Sequence, residues 1–150
     1  MIRSAHPGDI PQLIAIQQAI ESEDAILGYC ADTAFDWADR NFAFTYVAVV
    51  EREVVGFVHC EPRPYAGESV LSPGSKILEI CELLVIESYR SMGIGQKLMT
   101  IVRNEAETQG FHHLRVHSAS RRFDEILRFY RRCGFTPWYL EMTMDLAMPI

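Results

Sequence analysis

The 150-residue sequence has no run near the roughly 18 consecutive apolar residues of a membrane span. Nor does its start resemble a secretory signal, since Met1 opens onto Arg3, His6 and Asp9. These absences predict a cytoplasmic protein with no membrane partner. Cysteine is scarce, and Cys30, Cys60, Cys81 and Cys133 form no C-x-x-C pair. A disulfide scaffold is excluded, and reduced structural thiols are expected. The histidines lack ligand spacing. His113 and His117 would share a strand face, but Arg115 stands between them and would repel a cation, so no metal is expected. Repeats, low-complexity tracts and linkers are also missing. With 49% hydrophobic and 23% charged residues, residues 1–150 read as a single domain with a sizeable core.

Basic residues are sparse in the first third. Residues 1–53 hold only Arg3, Arg40 and Arg52 against nine carboxylates, so the net charge of −6 resides there and the remainder balances. Without clustered Lys and Arg, nucleic acid is excluded as a partner. Such an acidic stretch either attracts a cationic ligand or forms an ordinary solvated face.

Hydrophobic periodicity orders the rest. Met1–Ser4 suits a short edge strand. Asp9-Ile10-Pro11-Gln12 predicts a helix start, with Asp9 as cap, Pro11 in the first turn and Gln12 completing a capping box. A short helix is expected around Phe35, Trp37, Ala38 and Phe42. Residues 44–50 and 54–60 form β-rich runs around a polar Glu51-Arg52-Glu53 turn, an antiparallel hairpin signal. Residues 61–75 form a long Pro/Gly-containing loop. A third long strand spans 76–86. Ile94, Leu98, Ile101, Val102 and Ala106 then fall on one helical stripe that Gly110 stops. A strand around Leu114 and Val116 and a helix carrying Phe123, Ile126, Leu127 and Tyr130 follow. The alternation of Leu140, Met142, Met144 and Leu146 predicts a closing strand. This order implies a mixed α/β sheet with helices on its faces.

Two motifs carry chemistry. Between strand and helix, Arg90-x-x-Gly93-x-Gly95 lets the backbone turn tightly and aims free N–H groups and the helix dipole at an anion. Glycine used for geometry alone would look the same. It is neither a Walker loop, since no Gly-Lys-Ser/Thr follows, nor a dinucleotide fingerprint, since Leu98 takes the third glycine's place. The second motif is Phe129-Tyr130-x-x-x-Gly134-Phe135. Paired with Leu83-x-Val85 and Glu87-x-Tyr89-Arg90-Ser91-x-Gly93-Ile94-Gly95, it resembles the GNAT superfamily of acyl-CoA-dependent N-acyltransferases.

That resemblance implies a central, mostly antiparallel sheet splayed between two parallel strands, with helices on both faces. It assigns the turn Arg90, Ser91, Met92, Gly93, Ile94, Gly95 and Gln96 to the pyrophosphate of coenzyme A. It assigns the main chain of Leu83, Leu84 and Val85 to the pantetheine arm. Phe123 departs from the family's usual Asn or Arg before the second motif. Tyr130 falls at the family's general acid, which protonates the departing thiolate, although its helical stripe also suits a core residue. Glu82 and Glu79 are both candidate bases. Plain alternation puts them on opposite faces of the strand, and a bulge would reset that parity. The implied activity is transfer of acetyl from acetyl-CoA, with coenzyme A as product, to a primary amine by direct attack. A small cationic amine is favoured, and a protein N-terminus or lysine is an alternative acceptor. A non-catalytic acyl-CoA sensor is the alternative from another class. Dimers are common in the family.

Overall fold

Alternating apolar residues build a sheet whose two faces each bury a separate core. The structure, a computed structural model, describes residues 1–147. In chain order come β1 (Ile2–Ser4), α1 (Ile10–Glu23), α2 (Ala34–Ala38), β2 (Thr45–Val50), β3 (Glu53–Arg63), β4 (Ile77–Val85), α3 (Ile94–Thr108), β5 (His113–Val116) and α4 (Phe123–Arg132). The five strands lie side by side in sequence order. All neighbours are antiparallel except β4 and β5, which run parallel. Among the described residues no helix is long and apolar enough to cross a membrane.

On one face, α1 and α2 bury Leu13, Ile16, Ile20 and Trp37 against Val47 and Phe57. On the other, Leu98, Met99, Val102 and Ala106 of α3 cover Val58, Leu78 and Ile80, with Phe129, Tyr130 and Phe135 packed alongside. The β2–β3 hairpin closes through Glu51 and Arg52, both at positive φ (49° and 70°), the hand that matches strand twist. Gly110, at φ 77°, ends α3 as its sequence position requires.

β5 pairs with β4 only from Ile77↔His113 to Ile80↔Val116. Beyond Ile80, β4 keeps β3 on one side and has no strand on the other, so the parallel pair splays open along Cys81–Val85. The β3–β4 register also shifts: His59 faces Glu82, Cys60 faces Ile80, and Cys81 is the extra residue. This bulge resets the alternation, so Glu79, opposite Glu61, and Glu82, opposite His59, share the face covered by α1 and α2.

Three expectations are corrected. The closing strand does not form: residues 136–147 carry no strand, and Leu140, Met142, Met144 and Leu146 are 65–90% exposed. Alternation specifies a strand only where a ladder partner and an apolar layer receive it, and these side chains meet neither. At the first helix, Asp9 precedes α1 but its carboxylate does not cap it. Instead it accepts two 2.8 Å bonds from Arg3 and one of 3.0 Å from the His6 N–H, because a guanidinium fork outcompetes a backbone amide. Gln12 closes no capping box, and its side-chain oxygen accepts the Val54 N–H at 2.9 Å.

Candidate active site

The bulge in β4 aims Glu82 under α1, where both of its oxygens are occupied. Gln17 Nε2 donates to them at 2.8 and 3.1 Å, and the Tyr29 hydroxyl donates to Oε1 at 3.0 Å. Gln17 is completely buried and is itself held by other groups. Its oxygen accepts from Trp37 Nε1 and the Asp32 N–H, and its amide donates to Asp32 at 2.6 Å. Arg40 pairs with Asp32 at 2.8 Å and stacks 4.3 Å above the Trp37 ring. Burial raises the Glu82 pKa above the ordinary carboxylate range, and the Gln17 and Tyr29 bonds only partly oppose that rise.

Glu79 has the opposite environment. Arg63 Nε binds it at 2.7 Å, Arg115 Nε lies at 3.4 Å and His117 Nδ1 at 3.2 Å. Burial alone would raise its pKa. The Arg63 bond and the positive charges of Arg115, Arg63 and His117 outweigh burial and hold the pKa low. The two glutamates thus share a sheet face but differ in protonic character, a distinction that spacing along the strand could not supply.

A cleft of about 300 Å³ opens where β4 and β5 part, and Glu82, Leu83, Leu84, Val85, Arg90 and Tyr130 line it. Glu79 is not among its lining residues. A neighbouring cavity of about 850 Å³ between β5 and α4 shares Val116, His117 and Tyr130 with it. Tyr130 sits on α4 between the rings of Phe129 and Phe135, at centroid distances of 5.1 and 5.3 Å. Burial raises its pKa, so the phenol remains protonated, and its hydroxyl has no hydrogen-bond partner among the described residues.

At the end of β4, Ser91 and Gly93 both take positive φ (62° and 79°) and turn the chain into α3. Gly93 precedes the helix with no side chain capping its first turn, and the N–H groups of residues 91–96 meet no acceptor among the described residues. Donors left free at a helix N-terminus form an anion-binding surface. Gly95 also has a packing role, since a Cβ there would lie 3.2 Å from the Phe129 ring. The side chain of Arg90 is already engaged. Its Nε donates to the Val85 carbonyl at 2.8 Å and its two amino groups to Glu23 at 2.5 and 2.6 Å. It therefore staples the turn to α1.

The acids of the first third mostly have local partners. Asp36 closes the α2 capping box with Thr33, Glu23 holds Arg90 and Asp9 holds Arg3. Only Asp32 joins the Glu82 network, where Arg40 balances it. Ligand atoms of His59, Glu61 and Cys81 lie within 4.8 Å of one another. Arg63 occupies that group, 2.6 Å from Glu61 and 3.8 Å from the Cys81 sulfur, and burial pushes the Cys81 thiol up to about 11. A cation is disfavoured there.

Sequence reasoning missed Gln17, Tyr29 and Arg40. Gln17 did carry a signal, as a polar residue inside the Leu13, Ile16, Ile20 stripe. Tyr29 lies in a segment without periodicity and Arg40 among the residues of the short expected helix, and neither carried one.

No curated protein matches the chain. Solved structures do, and they share the fold at low identity. An aminoglycoside N-acetyltransferase in complex with CoA superposes with a TM-score of 0.72 at 12% identity, covering 97% of this chain and 98% of that one. The ribosomal-protein-alanine N-acetyltransferase of Brucella melitensis gives 0.68 at 17%, covering 97% and 99%. Glucosamine-6-phosphate N-acetyltransferase from Arabidopsis thaliana gives 0.70 at 15%, covering 97% of each. The sequence model of the acetyltransferase (GNAT) family matches residues 13–135. With its splayed parallel pair, its glycine turn and that match, the chain belongs to the GNAT acetyltransferase family.

Proposed function

We propose that the cleft binds acetyl-CoA and transfers its acetyl group to a primary amine by direct attack. The observation that carries this reading is the juxtaposition in one cleft of a carboxylate with a raised pKa, Glu82, and an unpartnered phenol, Tyr130. That cleft runs along the open edge of β4 as far as Arg90, where the glycine turn begins. The N–H groups of residues 91–96 take the pyrophosphate, and the groups left open along Leu83–Val85, where Arg90 already holds the Val85 carbonyl, take the pantetheine amides as an added strand would. The Ile86 N–H donates to Val55, so strand alternation turns the Val85 N–H toward the open edge, where it polarises the thioester carbonyl.

The amine nitrogen then forms its bond to the carbonyl carbon, and Glu82 accepts a proton from it. The C–S bond breaks, and the Tyr130 phenol gives its proton to the leaving thiolate. Glu82 is the base in this scheme because Glu79 is held anionic by two arginines, which weakens it as a proton acceptor. The acceptor is an amine whose cationic form is attracted by Glu82, which lines the cleft. Asp36 is engaged in its helix cap and Asp32 is balanced by Arg40, so the reading does not rest on recruitment by the wider acidic stretch.

The test is thiol release from acetyl-CoA across a primary-amine library. Amine-dependent release with mass-verified acetylated product is expected. Acetyl-CoA binding without release against any amine would replace this reading with that of a binding domain.

A further inference from the structure

His117 stands at the mouth of the cleft, just past the end of β5, with its side chain 58% exposed. One ring nitrogen, Nδ1, lies 3.2 Å from Glu79 Oε1, while Nε2 has no protein partner among the described residues. Glu79 is fixed in turn by a 2.7 Å bond from Arg63 Nε, and the Arg115 guanidinium lies 3.4 Å away as an ion pair without a hydrogen bond. Arg115 is anchored from its far end by Glu68 at 2.9 Å. The Glu79 carboxylate faces Nδ1, which leaves the solvent-open Nε2 as the exchanging atom.

The reaction proposed above leaves a proton unassigned. An alkylamine arrives as an ammonium, and its nitrogen loses two protons before it becomes an amide. One is balanced by the proton gained by sulfur, and the other must leave the site before the nitrogen has a lone pair to attack with. Glu82 is poorly placed to export it, being buried beneath Gln17 and Tyr29. His117 lines the same cleft and is open to solvent.

We propose that Glu79 and His117 form a dyad that deprotonates the incoming ammonium: the N–H bond breaks, its electron pair stays on the amine, the proton passes to Nε2, and the imidazolium releases it to water. This rests on the acetyltransferase reading and extends it. It gives Glu79 a positioning role and His117 a catalytic one.

The charged groups around the ring are Glu79 and Glu82 from β4, Arg115 from β5, Arg122 at the start of α4 and Glu125 within it. Arg131 and Glu141 line the adjoining cavity, and Cys81 and Tyr130 are the neutral titratable neighbours. Of these, Glu79 is the carboxylate in contact with the imidazole. Replacing it with glutamine removes the negative charge facing the ring, so proton transfer from an ammonium slows.

Two amines separate this role from a structural one. Benzylamine is an ammonium at neutral pH, whereas aniline is already neutral and needs no initial deprotonation. His117→Gln is expected to lower kcat/KM for benzylamine roughly 10²-fold, to leave aniline nearly unchanged, and to be partly rescued by added imidazole. Glu79→Gln, which removes the charge facing the ring, is expected to lower kcat/KM for benzylamine about tenfold and to leave aniline nearly unchanged, the same pattern as His117→Gln. In either variant, equal loss with both amines or no loss with either would overturn the dyad. Failure of the wild type to acetylate any primary amine would instead overturn the acetyltransferase reading, and the dyad's role with it.

Discussion

Glu82 and Tyr130 face one cleft with complementary proton affinities, one a carboxylate made more basic by burial and the other a phenol kept protonated by it. In the proposed reaction Tyr130→Phe retains the ring between Phe129 and Phe135 and deletes only the proton. We expect kcat to fall roughly 10²-fold with acetyl-CoA affinity unchanged by calorimetry, and wild-type kcat across the pH range would remove the acid role. Glu82 must be ionised to accept a proton. Its raised pKa therefore predicts a rate that falls with acidification at a pH above the ordinary carboxylate range, a limb that Glu82→Gln should abolish together with most of the activity. Asp9 shows the opposite sign. Chiefly through its bond to Arg3, its pKa is lowered on folding, so its stabilisation is present above the unfolded-state value and is lost as pH falls through the folded one. Asp9→Asn should cost about 2 kcal/mol at neutral pH and shrink that difference in acid, as urea melts at two pH values would measure.

Among the elements, the glycine turn is the most exacting. Gly93 has open space around it but sits at φ 79°, so a branched residue there must distort the turn. Gly93→Val should weaken acetyl-CoA binding about tenfold or more while far-UV dichroism stays the same, and unchanged affinity in a folded variant would detach the turn from the cofactor. Strands and helices that bury one face were legible because their periodicity is repeated over many residues: Leu98, Val102 and Ala106 mark α3 without ambiguity. The bulge at Cys81 was not, since it is decided by how β3 and β4 close against each other, yet it determines which way Glu79 and Glu82 point. The same limit explains residues 140–146, whose alternation is visible but whose ladder partner no local pattern guarantees. Glycine turn and Tyr130 were legible through paired motifs, whereas the Gln17, Tyr29 and Arg40 surroundings of Glu82 come from three separate segments.

At the scale of the whole molecule, α1 is a rod with both ends of the chemistry attached. Gln17 in its middle grips Glu82, and Glu23 at its last residue grips Arg90, which in turn holds the Val85 carbonyl beside the glycine turn. In the proposed reaction, any settling of that turn around the cofactor would be transmitted along this rod to the acceptor side. Occupancy of the two sites should therefore be thermodynamically linked, each ligand tightening the other by the same factor, within the 5- to 150-fold that such couplings typically span. Cutting the staple with Arg90→Met should make the two binding isotherms independent, and the chain would then behave as two half-sites that no longer report each other's occupancy.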